Sequence, residues 1–460
     1  MPGSTRLPFM EEGMARWPFG PPHAGIALDF TGTPPTPDEL RTLVAERWGG
    51  LPRLAHELVA GGRRHRWRAG AGFDPAAQVG REDVTLREAM GEWFHAPFPP
   101  GTPPWRLHLL RGATTGSGEF SLLFRMHHSL LDGRSLTTLL RALLDGAPQV
   151  DVPASLAEPR TRRRTAVGGP GMLAAGLAVP LPGKGERAPA YTVVHLPAGA
   201  LRAARAAGAG AVAGTGAAAV GAEEGPATAG PGAGPAAEGS AASAPAAAAA
   251  AGRVATTNEV FLAAVSGVLR SCLLTAEGDW GDSGGARRVW LSVPVDQRPS
   301  EHGDFLGNAF TNVRVPAPVD LADPAARLAA CTGLLTTETR PRRTAEKVTE
   351  SAFAAFPAVT QALARGRFFA ADYAPAACSY VHLRESGRTL AGRALRRVTV
   401  VPMVPPDDTV TFGLGGCSRG HTLSVATNSG TEDADLLAEA FLHELGLLGR
   451  RTEPRRTVRP

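Results

Sequence analysis

The chain has 460 residues, 43% of them hydrophobic and 20% charged, with 48 basic residues against 43 acidic and a net charge of +5. That length exceeds what one ordinary core organises and predicts two lobes. The near balance of charge excludes the strongly basic field of a dedicated nucleic-acid binder, so nucleic acid is not an expected partner.

Arginine carries almost all the positive charge, because Lys184 and Lys347 are the only lysines. The four cysteines, Cys272, Cys331, Cys378 and Cys417, lack the close spacing of a zinc site or redox pair. They read as reduced structural thiols, and no metal site is expected. The opening MPGSTRLPFMEEGMARW carries acids early and lacks the apolar run of a secretory signal. No stretch reads as the ~20 apolar residues that span a bilayer. A cytoplasmic location is therefore expected.

In chain order, residues 1–150 read as a mixed α/β lobe. HAGIALDF (23–30) is a strand pattern, and Thr36 is placed to start a helix through residue 48. WRLHLLRG (105–112) and FSLLFRMHH (120–128) alternate as paired strands. RSLTTLLRALLDG, after Gly133, has helical spacing and ends in glycine. Residues 151–190 are a connector with a basic cluster, RTRRR (160–164), and an apolar stretch, GMLAAGLAVPLP (171–182). YTVVHLP, within 191–205, starts the second lobe. Residues 206–252 are Ala, Gly, Pro and Glu with few branched or aromatic residues, the composition of a disordered insertion.

The second lobe resumes over 253–449. An amphipathic helix pattern covers 256–274, and strands are expected at 289–298 and 307–318. Helices follow at 320–340 and 344–364, then strands near 377–382, 395–404, 408–415 and 421–428, and a last helix at 433–448. GLGG (413–416) lacks the Lys-Ser/Thr of a phosphate loop and reads as a turn or bulge. The tail 450–460 is basic and expected to be disordered.

The chemistry concentrates in His127-His128-Ser129-Leu130-Leu131-Asp132-Gly133. Side chains alternate along a strand, so His127 and His128 are expected to point different ways. A neutral imidazole suits removal of a proton from a hydroxyl or amine attacking a thioester, because it titrates near neutral pH. His128 is the expected general base. His127 reads more readily as structural. Asp132 is expected to cap the following helix or pair with an arginine, and Gly133 permits a tight backbone.

This run resembles the HHxxxDG motif of the chloramphenicol acetyltransferase-like superfamily, which includes acyl-CoA-dependent acyltransferases and peptide synthetase condensation domains. The nearer resemblance is to the bacterial wax ester synthase/diacylglycerol acyltransferase family. Pro104-Trp105-Arg106-Leu107 resembles that family's Pro-Leu-Trp strand. Asn258-Glu259-Val260 resembles its Asn-Asp-Val helix start. Pro294-Val295-Asp296-Gln297-Arg298-Pro299, followed by Leu306-Gly307-Asn308, resembles its Pro-Val-x-x-Arg and Gly-Asn block. The chain departs from the family at Glu259, at Cys378-Ser379-Tyr380-Val381 in place of Ser-Asn-Val-Pro-Gly, and in LPFMEEGM, which lacks an opening Asp.

The resemblance implies a two-lobed α/β fold, each lobe a mixed sheet with flanking helices, and an active-site tunnel between them. It implies fatty acyl transfer from acyl-CoA, a co-substrate with no further cofactor, to diacylglycerol or a long-chain alcohol. The main-chain N–H of Gly133 is then a candidate oxyanion donor. Asn258 and Arg298 are candidate substrate contacts, with helix capping and pairing to Asp132 as their respective alternatives. Association with an inner membrane face or lipid droplet would suit a lipid acceptor. A stand-alone condensation-type enzyme using an acyl-carrier protein is the first alternative, and a non-catalytic scaffold the second.

Overall fold

The computed structural model describes residues 4–61, 64–70, 72–112, 118–158, 175–183, 187–207, 254–277, 288–335, 369–384 and 388–450. The expected insertion (apart from its first residues), the RTRRR cluster, the helix expected at 344–364 and nearly all the basic tail lie outside them.

Fifteen strands form three sheets among these residues. β1 (Ser4–Arg6), β3 (Glu57–Val59) and β4 (Arg66–Arg68) make a small sheet with β4 central. β2 (His23–Thr31), β5 (Val79–Glu82), β6 (Trp105–Arg111) and β7 (Glu119–His127) belong to the first large sheet. Its order, β12-β13-β2-β7-β6-β5, includes β12 (Thr389–Leu390) and β13 (Arg393–Val401). The second large sheet has the order β10-β9-β11-β14-β15-β8. Its strands are β8 (Ala190–His195), β9 (Val289–Asp296), β10 (Phe310–Ala317), β11 (Ala376–His382), β14 (Val410–Cys417) and β15 (Gly420–Thr427). Both large sheets are mixed: β5 pairs parallel with β6, and β11 parallel with β9 and β14.

The lobe boundary differs from expectation in one respect. β13 falls within 253–449 yet pairs antiparallel with β2, so the second half of the chain completes the first sheet. β13 carries Leu395, Val398 and Val400 into the first core, and its pairing with β2 shifts register between Leu395 and Arg397. That pairing depends on a partner far away in the chain, which local pattern does not reveal.

Each large sheet has its own core. Ile26, Leu28, Phe30, Phe120, Leu122 and Phe124 pack beneath helices Pro37–Trp48 and Gly133–Ala142. Thr36 and Glu39 close a reciprocal capping box at the first of these helices. In the second lobe, helix Thr257–Glu277 lies against helices Pro324–Cys331 and Thr431–Gly449. Gly267 leaves room there for Glu444, whose buried carboxylate pairs with Arg327. Contrary to expectation, Thr257–Ala276 is long and apolar enough to cross a membrane, but 67% of its most apolar window is buried, as in a core helix. A third cluster joins the lobes, bringing Ala27, Leu110 and Leu123 together with Tyr191 and Ala426.

The GLGG segment is neither turn nor bulge. It lies inside β14, where a Cβ on Gly415 would stand 2.1 Å from the Val398 carbonyl oxygen and one on Gly413 3.4 Å from Val400. The glycines let β13 of the first sheet lie directly on the second.

Candidate active site

The motif begins at the last residue of β7 and ends on a helix N-terminus. His127 closes β7, and its main-chain N–H donates to the Pro104 carbonyl at 3.0 Å. The His128 N–H donates to Pro22 at 2.8 Å. Leu130 and Leu131 are fully buried and pin the turn in the first core. Asp132 then caps helix Gly133–Ala142, accepting from the Ser135 N–H at 2.8 Å.

The second lobe grips this turn through one polar seam. Arg298 meets Asp132 with both terminal nitrogens, at 2.9 Å to Oδ1 and 2.8 Å to Oδ2. Both side chains are almost fully buried, and the fork-to-carboxylate geometry is the strong form of this pair. The Ala309 N–H adds a third donor to Asp132, at 2.8 Å. Ser135 Oγ receives the Gly307 N–H at 3.0 Å and Arg298 Nη2 at 2.7 Å. Asn308 Nδ2 donates to the carbonyls of His128 and Ser129, at 3.2 and 2.9 Å.

The two histidines have different surroundings. His127 Nδ1 accepts from the Ser129 N–H at 3.3 Å and lies 2.8 Å from Ser129 Oγ. Its ring faces His23 at 6.2 Å, and burial, with those neighbouring imidazoles, pushes its pKa down to about 3. His128 sits 6.0 Å from the Phe310 ring of β10. Burial lowers its pKa, against weaker raising influences from its own carbonyl, Asp132 and Asn308. Its Nδ1 is enclosed without a partner meeting full hydrogen-bond geometry among the described residues. The ring is therefore neutral near pH 7, the form a general base requires.

Gly133 is the first residue of its helix, so its N–H has no intrahelical acceptor. A Cβ there would come within 3.2 Å of Val381 of β11. Arg298 is brought to the motif as the partner of Asp132. Asn258 is the second residue of its helix and makes no hydrogen bond to the motif among the described residues. It is not the cap either: Thr256 accepts from the Glu259 N–H at 3.2 Å, and Glu259 accepts from the Thr256 N–H at 2.7 Å.

Residues 80–268 match the wax ester synthase/diacylglycerol acyltransferase catalytic domain. No curated protein sequence matches the chain. The fold is that of the wax ester synthase/diacylglycerol acyltransferase from Marinobacter aquaeolei VT8, with a TM-score of 0.58 at 15% identity over 96% of this chain and 98% of that one. The first condensation domain of the CDA synthetase superposes with a TM-score of 0.54 at 16% identity, covering 98% of each chain. The TRI3 trichothecene 15-O-acetyltransferase from Fusarium sporotrichioides gives 0.59 at 10% identity, over 97% and 96%. These likenesses establish the two-lobed chloramphenicol acetyltransferase-like fold.

Within that fold, sequence reasoning missed two residues behind the motif. Arg53 donates from Nε to the Leu130 carbonyl at 2.9 Å and from Nη2 to that of Ser129 at 3.2 Å. Glu11 is buried and pairs with Arg53 and with the Trp67 indole N–H. The available signal was a charged Glu-Glu pair inside the apolar run LPFMEEGM. Read only for a missing Asp, it gave no reason to suspect a buried carboxylate.

Proposed function

We propose that the chain transfers a fatty acyl group from acyl-CoA to the hydroxyl of diacylglycerol or a long-chain alcohol, with His128 as general base. The observation carrying this reading is a neutral, enclosed His128 on a turn locked by Asp132 and Arg298. His128 Nδ1 faces inward, which leaves Nε2 to take the acceptor proton. The hydroxyl oxygen then attacks the thioester carbonyl, and the Gly133 N–H stabilises the tetrahedral oxyanion. Collapse breaks the C–S bond, and the proton held on His128 passes to the departing thiolate, giving ester and free thiol. His127 shapes the turn. The lipid acceptor goes with peripheral association at a membrane or lipid-droplet surface.

The second reading is a condensation-type enzyme that takes its acyl group from a carrier protein. It is favoured by the condensation-domain fold likeness and by Cys378-Ser379-Tyr380-Val381 in place of the family's Ser-Asn-Val-Pro-Gly. Thiol release from palmitoyl-CoA with dioleoylglycerol or hexadecanol, beside release from a palmitoyl carrier protein, separates the two. His128→Ala is expected to lower kcat about 10²–10⁴-fold with whichever donor works. Full activity in that variant rules out the mechanism. No turnover with any donor favours a scaffold.

A further inference from the structure

Three successive main-chain carbonyls, those of His128, Ser129 and Leu130, set the path of the motif turn. Two side chains hold all three: Asn308 takes the first and second, Arg53 the second and third. The second of these holders is itself held by a buried carboxylate. The Glu11 carboxylate pairs with Arg53 Nη2, the same nitrogen that reaches Ser129. The Trp67 indole N–H supplies its remaining donor, and the Arg53 guanidinium lies 4.5 Å over that indole ring.

We propose that Glu11 is a positioning residue for the catalytic turn, fixing its path next to His128 through Arg53 without touching substrate. This rests on the reading of His128 as the base. The physical argument is charge balance. Arg53 is only 11% exposed at its side chain. Without Glu11 it becomes a buried cation facing only carbonyl dipoles, and it relaxes toward water or pulls the turn with it. Displacement of a catalytic group by about 1 Å costs roughly 10²-fold in rate.

The neighbouring Glu12 provides an internal control. It is at least as buried as Glu11, at 0% against 2% exposure. Its partners are Arg16 at 2.5 Å and His65, through the main-chain N–H at 2.9 Å and Nδ1 at 3.1 Å. None of these bonds reaches the motif. Two adjacent carboxylates therefore share a burial cost and differ in what they hold.

The test measures thermal midpoint, kcat and KM for Glu11→Gln, Glu12→Gln and Arg53→Lys in the full chain, with palmitoyl-CoA and hexadecanol. Both Gln variants are expected to lose stability. Only Glu11→Gln should lose kcat, by about 10–100-fold, with KM within about twofold of wild type. Arg53→Lys keeps the charge opposite Glu11 but loses the planar fork that spans two carbonyls. It should repeat the kcat loss, and it decides the matter if Glu11→Gln does not fold. Wild-type kcat in Glu11→Gln or in Arg53→Lys, or an equal kcat loss in Glu12→Gln, overturns the proposal. His128→Ala run in parallel separates the failures. If it is inactive while Glu11→Gln is unimpaired, only the positioning role falls; if it is active, the base assignment itself falls.

Discussion

Two of the seams that join the lobes are built by opposite means. At the motif, Asp132, Ser135 and His128 meet Arg298, Gly307 and Asn308 through buried charges and directed hydrogen bonds. Between β13 and β14, contact depends on missing side chains: Gly413 and Gly415 admit Val398 and Val400. Little polarity is added there: Ser424 donates at 2.5 Å to the Val400 carbonyl, and the Cys417 thiol at 3.4 Å to that of Arg396. Directed bonds fix orientation as well as distance, and a base must be oriented. Glycine contacts fix proximity alone, which is enough to keep two sheets together. Charge accordingly concentrates where the chemistry sits.

The largest expected effect breaks the polar seam. Arg298→Met leaves Asp132 buried and opposed only by N–H donors. The loss should be about 3–5 kcal/mol of stability by urea unfolding, because removing one partner strands the other charge. Adding Asp132→Asn to that variant should recover part of the loss, since asparagine still caps the helix and carries no charge. If the double variant is no more stable than the single, the ion pair is not what joins the lobes at this point.

The second effect concerns the glycine seam. Gly415→Ala puts a Cβ 2.1 Å from a main-chain oxygen, where neither strand can yield without shifting its ladder. A loss of about 1–3 kcal/mol is expected, the usual cost of overpacking. Gly446→Ala is the contrast: this glycine is exposed on helix Thr431–Gly449, and its added Cβ would meet nothing within 4 Å. It should stabilise by about 0.5–1 kcal/mol. Destabilisation by both, to the same degree, would mean that close approach is not the reason for Gly415.

The two seams also differ in how far the sequence discloses them. The Asp132–Arg298 pair was an open alternative from residue types alone, because a buried Asp needs a cation and few residues supply one. The strands and helices around it follow local periodicity, and Thr36 as a cap follows from side-chain chemistry. The glycine seam was misread because a glycine run looks alike in a turn and in a strand crossed by another strand. What distinguishes them is a partner, β13, that arrives from the other sheet. Asn258 illustrates a subtler limit: Thr256, Thr257 and Asn258 are all capping residue types, and only the Glu259 side chain reaching back selects Thr256. Glu11 stayed hidden because its partners, Arg53 and Trp67, lie more than forty residues away in the chain.

The smallest expected effect sharpens what the polar seam does for His128. Burial holds its pKa below the ordinary 6.5, while Asp132 pulls it upward. The base works when neutral, so activity is lost as pH falls through the folded-state pKa. The acid limb of kcat should therefore lie below 6.5, with no break on passing through that value. Asp132→Asn removes a raising influence and should carry the limb lower still, while the helix cap remains. An acid limb at or above 6.5 in the wild type would mean that the working base is not an enclosed imidazole. An unmoved limb in Asp132→Asn would limit Asp132 to joining the lobes, with no electrical hold on the base.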